Sequence, residues 1–129
     1  MISLQRMHHI AIIASNYARS KTFYCQIREF TLIGEHYRAE RDSWKGDLVL
    51  HGQCLIELFS FPGAPARLSR TEAKGLRHLA FSVADIDQAI AGLVAAGVAC
   101  EPVPVDPLTG KKYTFFTDPD QLPLELYEA

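Results

Sequence analysis

Residues 9–20, HIAIIASNYARS, have a counterpart at residues 78–89, HLAFSVADIDQA. Each stretch begins with histidine, continues as a short apolar run, and reaches a polar turn followed by helically spaced residues. The apolar runs predict β-strands, and the segments after them predict helices. The repeat therefore predicts that the chain consists of two copies of one strand–helix unit.

A second pair of similar stretches, LIELF and PLELY, lies near the end of each half. When the halves are aligned, His9 falls on His78 at an offset of 69 residues, and Glu57 falls on Glu125 at an offset of 68. His8 has no histidine at the equivalent position, so the repeat selects His9 from the doublet. Four chemically active residues thus recur at nearly the same register.

The coarse pattern predicts an α+β fold in which two tandem βαβββ modules, about 7–60 and 75–128, form a curved mixed sheet within a single domain, 1–129. Ser15 and Asn16 are both plausible N-caps of the first helix, Asp85 is a suitable N-cap of the second, and Gly97 is a suitable helix end. The predicted helices span 16–28 and 86–96, and the predicted strands span 7–14, 31–40, 46–51, 54–60, 76–83, 98–101, 112–117 and 121–128.

Composition excludes several classes of protein. The chain has 129 residues, of which 48% are hydrophobic and 22% charged, as in a soluble globular protein. A net charge of −2 gives no electrostatic footprint for nucleic acid, and no apolar run suggests a membrane span. Three cysteines without CxxC spacing indicate neither a disulfide framework nor a thiolate zinc site. We expect a cytoplasmic protein.

The repeated glutamates are unusual because each lies inside an apolar strand, where an unpaired carboxylate is costly to bury. Strand alternation places His9 and Glu57 on the face opposite the richer apolar residues of their strands, and the same holds for His78 and Glu125. Imidazole and carboxylate groups around a cation suit zinc, nickel, cobalt or manganese. The alternative is a pair of edge glutamates and polar core histidines that arose by duplication without a metal.

The segments HIAIIASNYARSKTFY, LIELF, GLRHLAFSVADID and YTFFTDPDQLPLELYE resemble the vicinal oxygen chelate (VOC) superfamily, most closely glyoxalase I and the bacterial YaeR-type group. The resemblance covers essentially residues 7–128. It implies paired βαβββ units whose sheets curl into a metal-lined cup. By position, the resemblance implies one divalent metal ion, with zinc or nickel favoured over cobalt or manganese, and the ligands His9, Glu57, His78 and Glu125.

The resemblance also implies a function: a metal-dependent, glyoxalase I-like lyase or isomerase (lactoylglutathione lyase-like) that transfers a proton through a metal-stabilised enediolate. Glu125 is the preferred catalytic base and Glu57 the other candidate. The partners would be a small oxygenated substrate or its thiol adduct, and a second copy of the chain in a homodimer. The sequence leaves open whether one chain or two supply the ligands.

Two positions depart from the glyoxalase I pattern. Ile13 stands where that family places a glutathione-contacting arginine, and Phe61 stands where it places an asparagine. Glutathione recognition is therefore not implied, and two alternatives stay open. One is a metal-dependent epimerase or another VOC enzyme such as an oxygenase. The other is a metal-assisted small-molecule binding protein without turnover.

The sequence also suggests a substrate-contacting set around the cup. Arg38 and Lys45 belong to the charged segment RAERDSWKGD, which either rims the cup and holds an anionic substrate or is a solvated surface. Arg77 either counters the carboxylate charge or lies at a strand edge, and Phe59 either lines the cup or packs in the core. The predicted substrate-binding residues are Arg41, Trp44, Arg77 and Phe59.

Overall fold

The computed structural model describes residues 1–27, 29–68 and 72–129, which form two compact units, 1–66 and 67–129. A short 3-10 helix, Ala39–Arg41, joins two strands of the first unit. The regular elements of the first unit are β1 (His9–Ala14), α1 (Tyr17–Gln26), β2 (Phe30–Arg38), β3 (Ser43–Leu50) and β4 (Cys54–Ser60).

The second unit repeats this order with one strand fewer. Its elements are β5 (Leu79–Val83), α2 (Ile86–Ala95), β6 (Tyr113–Thr117) and β7 (Pro123–Glu128). Among the described residues, neither helix combines the length and apolar character needed to cross a membrane. The two tandem modules predicted from the sequence repeat are therefore present.

Both sheets share one topological feature, a parallel pairing between the first and the last strand of the unit. The first sheet has the order β1-β4-β3-β2, with β1 parallel to β4 and the other pairs antiparallel. The second sheet has the order β5-β7-β6, with β5 parallel to β7. Because the first and last strands are neighbours, residues far apart in the chain stand side by side in each sheet.

Side-chain caps start both helices where the sequence predicts. The Asn16 side chain accepts a hydrogen bond from the backbone N–H of Arg19 at 3.0 Å, and Asp85 does the same for Gln88 at 3.1 Å. Each cap satisfies a first-turn N–H that has no partner within the helix. Gly97 follows α2 with a φ of 83°, a left-handed conformation that glycine adopts without strain.

One face of each sheet is apolar and packs against the helix of its own unit, α1 on β2 and β4, and α2 on β7. Alternate residues of the paired strands fill this face, as the strand pattern predicts. The buried apolar side chains of these strands are Ile12, Ala14, Phe30, Leu48, Ile56 and Leu58 in the first unit, and Leu79, Phe116, Leu124 and Leu126 in the second. The opposite face of each sheet is left for the polar side chains.

The segment 98–101 does not form the strand that the sequence predicts. Glu101 donates a backbone hydrogen bond to Phe115 O at 2.9 Å, but Pro102 and Pro104 follow immediately. Proline has no N–H with which to continue a ladder, so isolated contacts follow: Tyr113 donates its backbone N–H to Pro104 O at 3.2 Å, and Val105 forms a single bridge with Lys112. The second sheet consequently has three strands, and the strands of the described chain form two sheets rather than a single one.

Strand β3 also differs from its prediction, since it begins at Ser43 rather than at 46. Ser43 and Trp44 pair with Arg38 and Tyr37 of β2, so the hairpin continues almost to the 3-10 helix. This extension matters for the site because it places the side chains of the charged segment on defined faces of a strand. They are therefore not free to adopt the orientations of a loop.

Candidate metal centre

Histidine and glutamate occupy the same relative positions in the two units. The register of β1 with β4 pairs Ala11 with Glu57, and His9 lies two residues before Ala11. The register of β5 with β7 pairs Ala80 with Glu125, and His78 precedes Ala80 by two residues. Because residues two apart in a strand share a face, His9 is the diagonal neighbour of Glu57, and His78, one residue before β5, takes the corresponding place beside Glu125. We call these surfaces the histidine–glutamate faces of the two units.

The side chains of each pair are in polar contact. His78 Nε2 lies 2.9 Å from Glu125 Oε2, and His9 Nδ1 lies 3.5 Å from Glu57 Oε2. The glutamate side chains are largely withdrawn from solvent, with 12% exposure for Glu125 and 14% for Glu57. A carboxylate in such a position needs a positive or hydrogen-bonding partner, and the neighbouring imidazole supplies one.

These donor atoms fit a divalent metal ion. In tetrahedral coordination, two ligand atoms that each lie about 2 Å from the metal ion are about 3.3 Å from each other. The observed separations of 2.9 and 3.5 Å lie on either side of that value. Among the described residues, no group of three or more His, Cys, Asp or Glu side chains forms a metal cluster. The predicted ligand set is therefore seen as two pairs, one within each unit.

Lys45 forms an ion pair with Glu57 in the first unit. Its Nζ lies 3.1 Å from Asp47 Oδ1 and 3.8 Å from Glu57 Oε1. The register of β3 with β4 pairs Asp47 with Glu57, so the two carboxylates are direct cross-strand neighbours on the histidine–glutamate face. The ammonium group offsets the repulsion between two like charges at this position.

Arg77 holds the histidine of the second unit. Its Nη1 donates to His78 Nδ1 at 3.1 Å, and its Nε and Nη2 donate to the two carboxylate oxygens of Glu72 at 3.0 and 3.1 Å. Because a guanidinium can only donate, Nδ1 is the acceptor and the proton of the neutral imidazole lies on Nε2, facing Glu125. The hydrogen bonds and charge of Arg77 lower the pKa of the exposed Glu72 carboxyl.

Phe59 and Arg41 differ in their relation to this face. Phe59 follows Glu57 by two residues in β4 and therefore shares the histidine–glutamate face. Its ring centroid lies 5.1 Å from the guanidinium carbon of Arg38. Arg41 ends the 3-10 helix and is exposed to solvent. Of these two predicted substrate contacts, the structure brings Phe59 together with Glu57.

Trp44 lies on the opposite face of β3 from Lys45, because successive strand residues alternate. Its indole stacks on the ring of Tyr17 with centroids 5.4 Å apart and planes within 11°. Its backbone N–H donates to Ser60 Oγ at 3.0 Å. It lines an open groove of about 530 Å³ at the start of α1. The structure therefore places Trp44 beside α1 and not beside Glu57, and its role as a substrate contact stays a prediction.

One polar side chain, Asp47, and one contact, between Tyr127 and Asp106, escape the sequence analysis. Asp47 could have been found from its alternation with Lys45 in the stretch WKGD, had the strand been started at its observed position. In the second unit, Tyr127 donates its hydroxyl to Asp106 Oδ2 at 2.8 Å. Asp106 lies in a loop 21 residues before Tyr127, and nothing in the sequence indicates the contact. The backbone N–H of Leu108 and then the Tyr127 hydroxyl lower the pKa of Asp106.

Comparison with known proteins gives consistent matches over nearly the whole chain. The model of the Glyoxalase/Bleomycin resistance protein/Dioxygenase superfamily matches residues 6–126. The Escherichia coli (strain K12) protein YaeR is 65% identical over 128 residues, covering 99% of each chain. The crystal structure of a glyoxalase family protein from Enterococcus faecalis is 48% identical, with a TM-score of 0.88 over 96% of this chain and 98% of that chain.

A more distant solved structure is similar in fold alone. It is the fosfomycin resistance protein FosX from Listeria monocytogenes in complex with Mn(II) and sulfate ion, which is 18% identical with a TM-score of 0.75. The alignment covers 98% of this chain and 94% of that chain.

Proposed function

The chain belongs to the Glyoxalase/Bleomycin resistance protein/Dioxygenase superfamily, and on that premise we propose that it is a metal-dependent lyase or isomerase of the glyoxalase I type. Its substrate is a small oxygenated compound or the thiol adduct of one. The observation that supports this proposal best is the recurrence of a half-buried histidine–glutamate contact at the same strand register in both units. Duplication of the fold without a shared function gives no reason to retain all four polar groups.

We propose His9, Glu57, His78 and Glu125 as the ligands of one divalent metal ion per site. Zinc or nickel is the first candidate because two imidazoles and two carboxylates suit either ion, and cobalt or manganese is the second. The similarly folded FosX binds manganese, which supports a divalent cation without identifying it here. We further propose a homodimer, in which the two pairs are combined within one chain or between two chains.

A divalent metal held by these four side chains would supply Lewis-acid polarisation of the substrate oxygens. Glu125 then removes a proton from the adjacent carbon and returns it at the neighbouring position, with Glu57 as the alternative base. Low solvent exposure suits both carboxylates to this task, since it limits competition by water for the proton. Phe59 forms an apolar wall beside Glu57, and Arg77 orients His78 through its contact with Nδ1.

A substrate other than the glutathione adduct is supported by one exposed side chain. Ile13 lies on the histidine–glutamate face of β1, two residues beyond Ala11, and is 51% exposed. An isoleucine cannot pair with a peptide carboxylate, so it cannot replace the arginine that glyoxalase I uses. This observation keeps an epimerase, or a metal-assisted binding protein, as the second candidate function.

Metal analysis of the purified protein tests the ligand assignment. We expect one divalent ion per chain in the wild type, and at least about tenfold weaker metal binding in His78→Ala and in Glu125→Gln, because a direct ligand contributes no less than an outer-shell partner. His51→Asn is the matched control, since His51 has a φ of 50° that asparagine tolerates, and it should bind metal like the wild type. Metal binding that is unchanged in His78→Ala would refute the assignment.

Activity measurements separate the candidate functions. The metal-loaded protein should convert the hemithioacetal of methylglyoxal formed with glutathione or with a smaller thiol. Glu57→Gln combined with Glu125→Gln should abolish turnover while leaving the circular dichroism spectrum unchanged. Stoichiometric metal with no turnover of any hemithioacetal would exclude the lyase and favour an epimerase or a binding protein.

Mixed dimers decide which chain supplies each pair. One variant carries His9→Ala with Glu57→Gln, and the other carries His78→Ala with Glu125→Gln. If two chains share each site, co-refolding the two inactive variants restores metal binding, because one site of the mixed dimer has all four ligands. If each chain supplies its own site, co-refolding restores nothing.

A further inference from the structure

Arg38 lies on the histidine–glutamate face of the first unit in an unusual environment. It is the last residue of β2 and pairs with Ser43, whose hydroxyl accepts a hydrogen bond from Arg38 Nη2 at 3.0 Å. Its guanidinium carbon lies 5.1 Å from the ring centroid of Phe59 and 5.6 Å from that of Phe61. The two rings are stacked 5.7 Å apart and form an apolar platform beneath the charge.

The guanidinium has no acidic partner among the described residues. The ion pairs of the described lysines and arginines are made by Lys21, Lys45, Arg77 and Lys112, and none of them involves Arg38. Its Nε is buried and donates to no acceptor in the part of the chain that the structure describes. A partly buried cation without an acidic partner is unfavourable by itself, and an anion that accepts from its remaining guanidinium N–H groups restores the lost interaction.

The position of this cation relative to Glu57 limits the size of a molecule that could contact both. Phe59, beneath the guanidinium, is two residues from Glu57 along β4, which corresponds to about 7 Å at the ordinary strand rise. Both side chains belong to the same face, and Lys45 lies on that face beside Glu57. A ligand with oxygens near Glu57 and an anionic group on Arg38 therefore has only a few bonds between the two ends.

We propose that Arg38, supported by Phe59 and Phe61, is an anion-binding subsite that recognises the carboxylate or phosphate group of a small substrate. Arginine suits this role because its planar donors can bind a carboxylate or phosphate through two parallel hydrogen bonds. The anion site itself depends only on the first unit. Its use in recognising a substrate depends on the metal-dependent function proposed above.

Anion binding to the metal-free, full-length protein tests the subsite directly. Succinate and inorganic phosphate are titrated separately by isothermal calorimetry at constant ionic strength, and the anion-induced rise in melting temperature is measured in parallel. We expect saturable binding of at least one anion, with affinity reduced at least about tenfold in Arg38→Met and less in Arg38→Lys. Tighter binding of succinate indicates a carboxylate substrate, and tighter binding of phosphate indicates a phosphorylated one.

Arg19→Met is the matched control, because Arg19 is an exposed arginine of α1, the helix that packs on the other face of the first sheet. It should bind both anions like the wild type. Should the wild type bind neither anion, or should Arg38→Met bind within about twofold of the wild type, the subsite is refuted. A purely structural role for Arg38 predicts a lower melting temperature in Arg38→Met together with an unchanged anion-induced rise.

A second titration separates this proposal from the proposed function. 2-Oxoglutarate carries a chelating oxo-acid group at one end and a carboxylate at the other, two methylene groups away. We expect zinc to strengthen its binding at least about tenfold in the wild type, and Arg38→Met to remove most of that affinity. If succinate binding depends on Arg38 but zinc leaves 2-oxoglutarate binding unchanged, the anion site stands and its connection to a metal centre is refuted.

Discussion

Replacing Gly46 with alanine should destabilise the first unit, because the side chain of Tyr17 occupies the space above this glycine. A methyl group at Gly46 would meet Tyr17 Oη well inside contact distance and would lie 3.2 Å from Tyr17 Cζ. The hydroxyl would have to retreat by about 1 Å to reach ordinary van der Waals distance. Tyr17 is 7% exposed, stacks on Trp44 and donates to Glu35 at 2.7 Å, so it has little freedom to move.

The expected change in the free energy of unfolding combines two opposing contributions. Overpacking of this kind costs about 1–3 kcal/mol, and replacing a strand glycine by alanine returns about 0.5–1 kcal/mol of backbone entropy. We expect Gly46→Ala to lower the free energy of unfolding by about 1–2 kcal/mol. Gly34→Ala is the matched control, since its methyl group would meet only Asp47 Oδ2 at 3.5 Å, an ordinary contact. It should leave the free energy of unfolding unchanged or raise it by up to about 1 kcal/mol, because the entropy gain meets no clash.

A double-mutant cycle identifies the clashing atom. Tyr17→Phe removes the hydroxyl and should cost about 1 kcal/mol through its lost hydrogen bond. In Tyr17→Phe with Gly46→Ala, the methyl group clashes only with the ring carbon. The double variant should therefore lose about 1 kcal/mol less free energy of unfolding than the two single variants lose together. Urea unfolding followed by fluorescence suits this measurement, because Trp44 is the single tryptophan and stacks on Tyr17. Strictly additive costs, or equal effects of Gly46→Ala and Gly34→Ala, would refute the reasoning.

Two further predictions concern carboxylates outside the candidate metal centre. Hydrogen bonds from Lys21 and Tyr17 lower the pKa of Glu35 from its ordinary value of 4.5. The ionised carboxylate therefore stabilises the fold at pH values above 4.5, and this stabilisation is lost as the pH falls through the lowered pKa. Glu35→Gln should therefore cost about 1 kcal/mol at pH 7 and progressively less in urea titrations below pH 4.5; an equal cost at neutral and strongly acidic pH would contradict this cause. Asp118 is 3% exposed, and its Oδ1 accepts from the backbone N–H groups of Asp120 and Leu122 at 2.8 and 2.9 Å. Asp118→Ala should cost about 2 kcal/mol in thermal unfolding, and Asp118→Asn, which retains an acceptor oxygen, should cost less than half as much.

The elements that the sequence predicts well are those governed by local chemistry. The helix starts at Asn16 and Asp85 are correct because a capping side chain bonds to the backbone N–H three residues ahead. The buried faces of the strands are correct because alternation follows from the geometry of a single strand. The predicted strand at 98–101 is wrong although its residues have adequate propensity, because the prolines that follow deny it a ladder.

The candidate site divides in the same way. The spacing of His9, Glu57, His78 and Glu125 is a property of the sequence, and the matched registers in the two sheets agree with it. The substrate contacts stay predictions, and the structure adds that Trp44 belongs to the face that packs on α1 and not to the face of Glu57. The charged segment alone could not show this. Alternation assigns side chains to the two faces of a sheet only when the first residue of the strand and the strand it pairs with are known.

The sequence by itself therefore determines the duplicated architecture, the helix starts and the four polar positions that repeat, since each depends on spacing within one stretch or between two similar stretches. Only the tertiary structure decides that β1 is parallel to β4 and β5 to β7, and so that each histidine meets its glutamate. It also decides that Arg38 lies over Phe59 and Phe61. The physical reason is that pairing between strands distant in the chain is set by non-local packing and hydrogen bonding, which the order of residues within one strand does not specify.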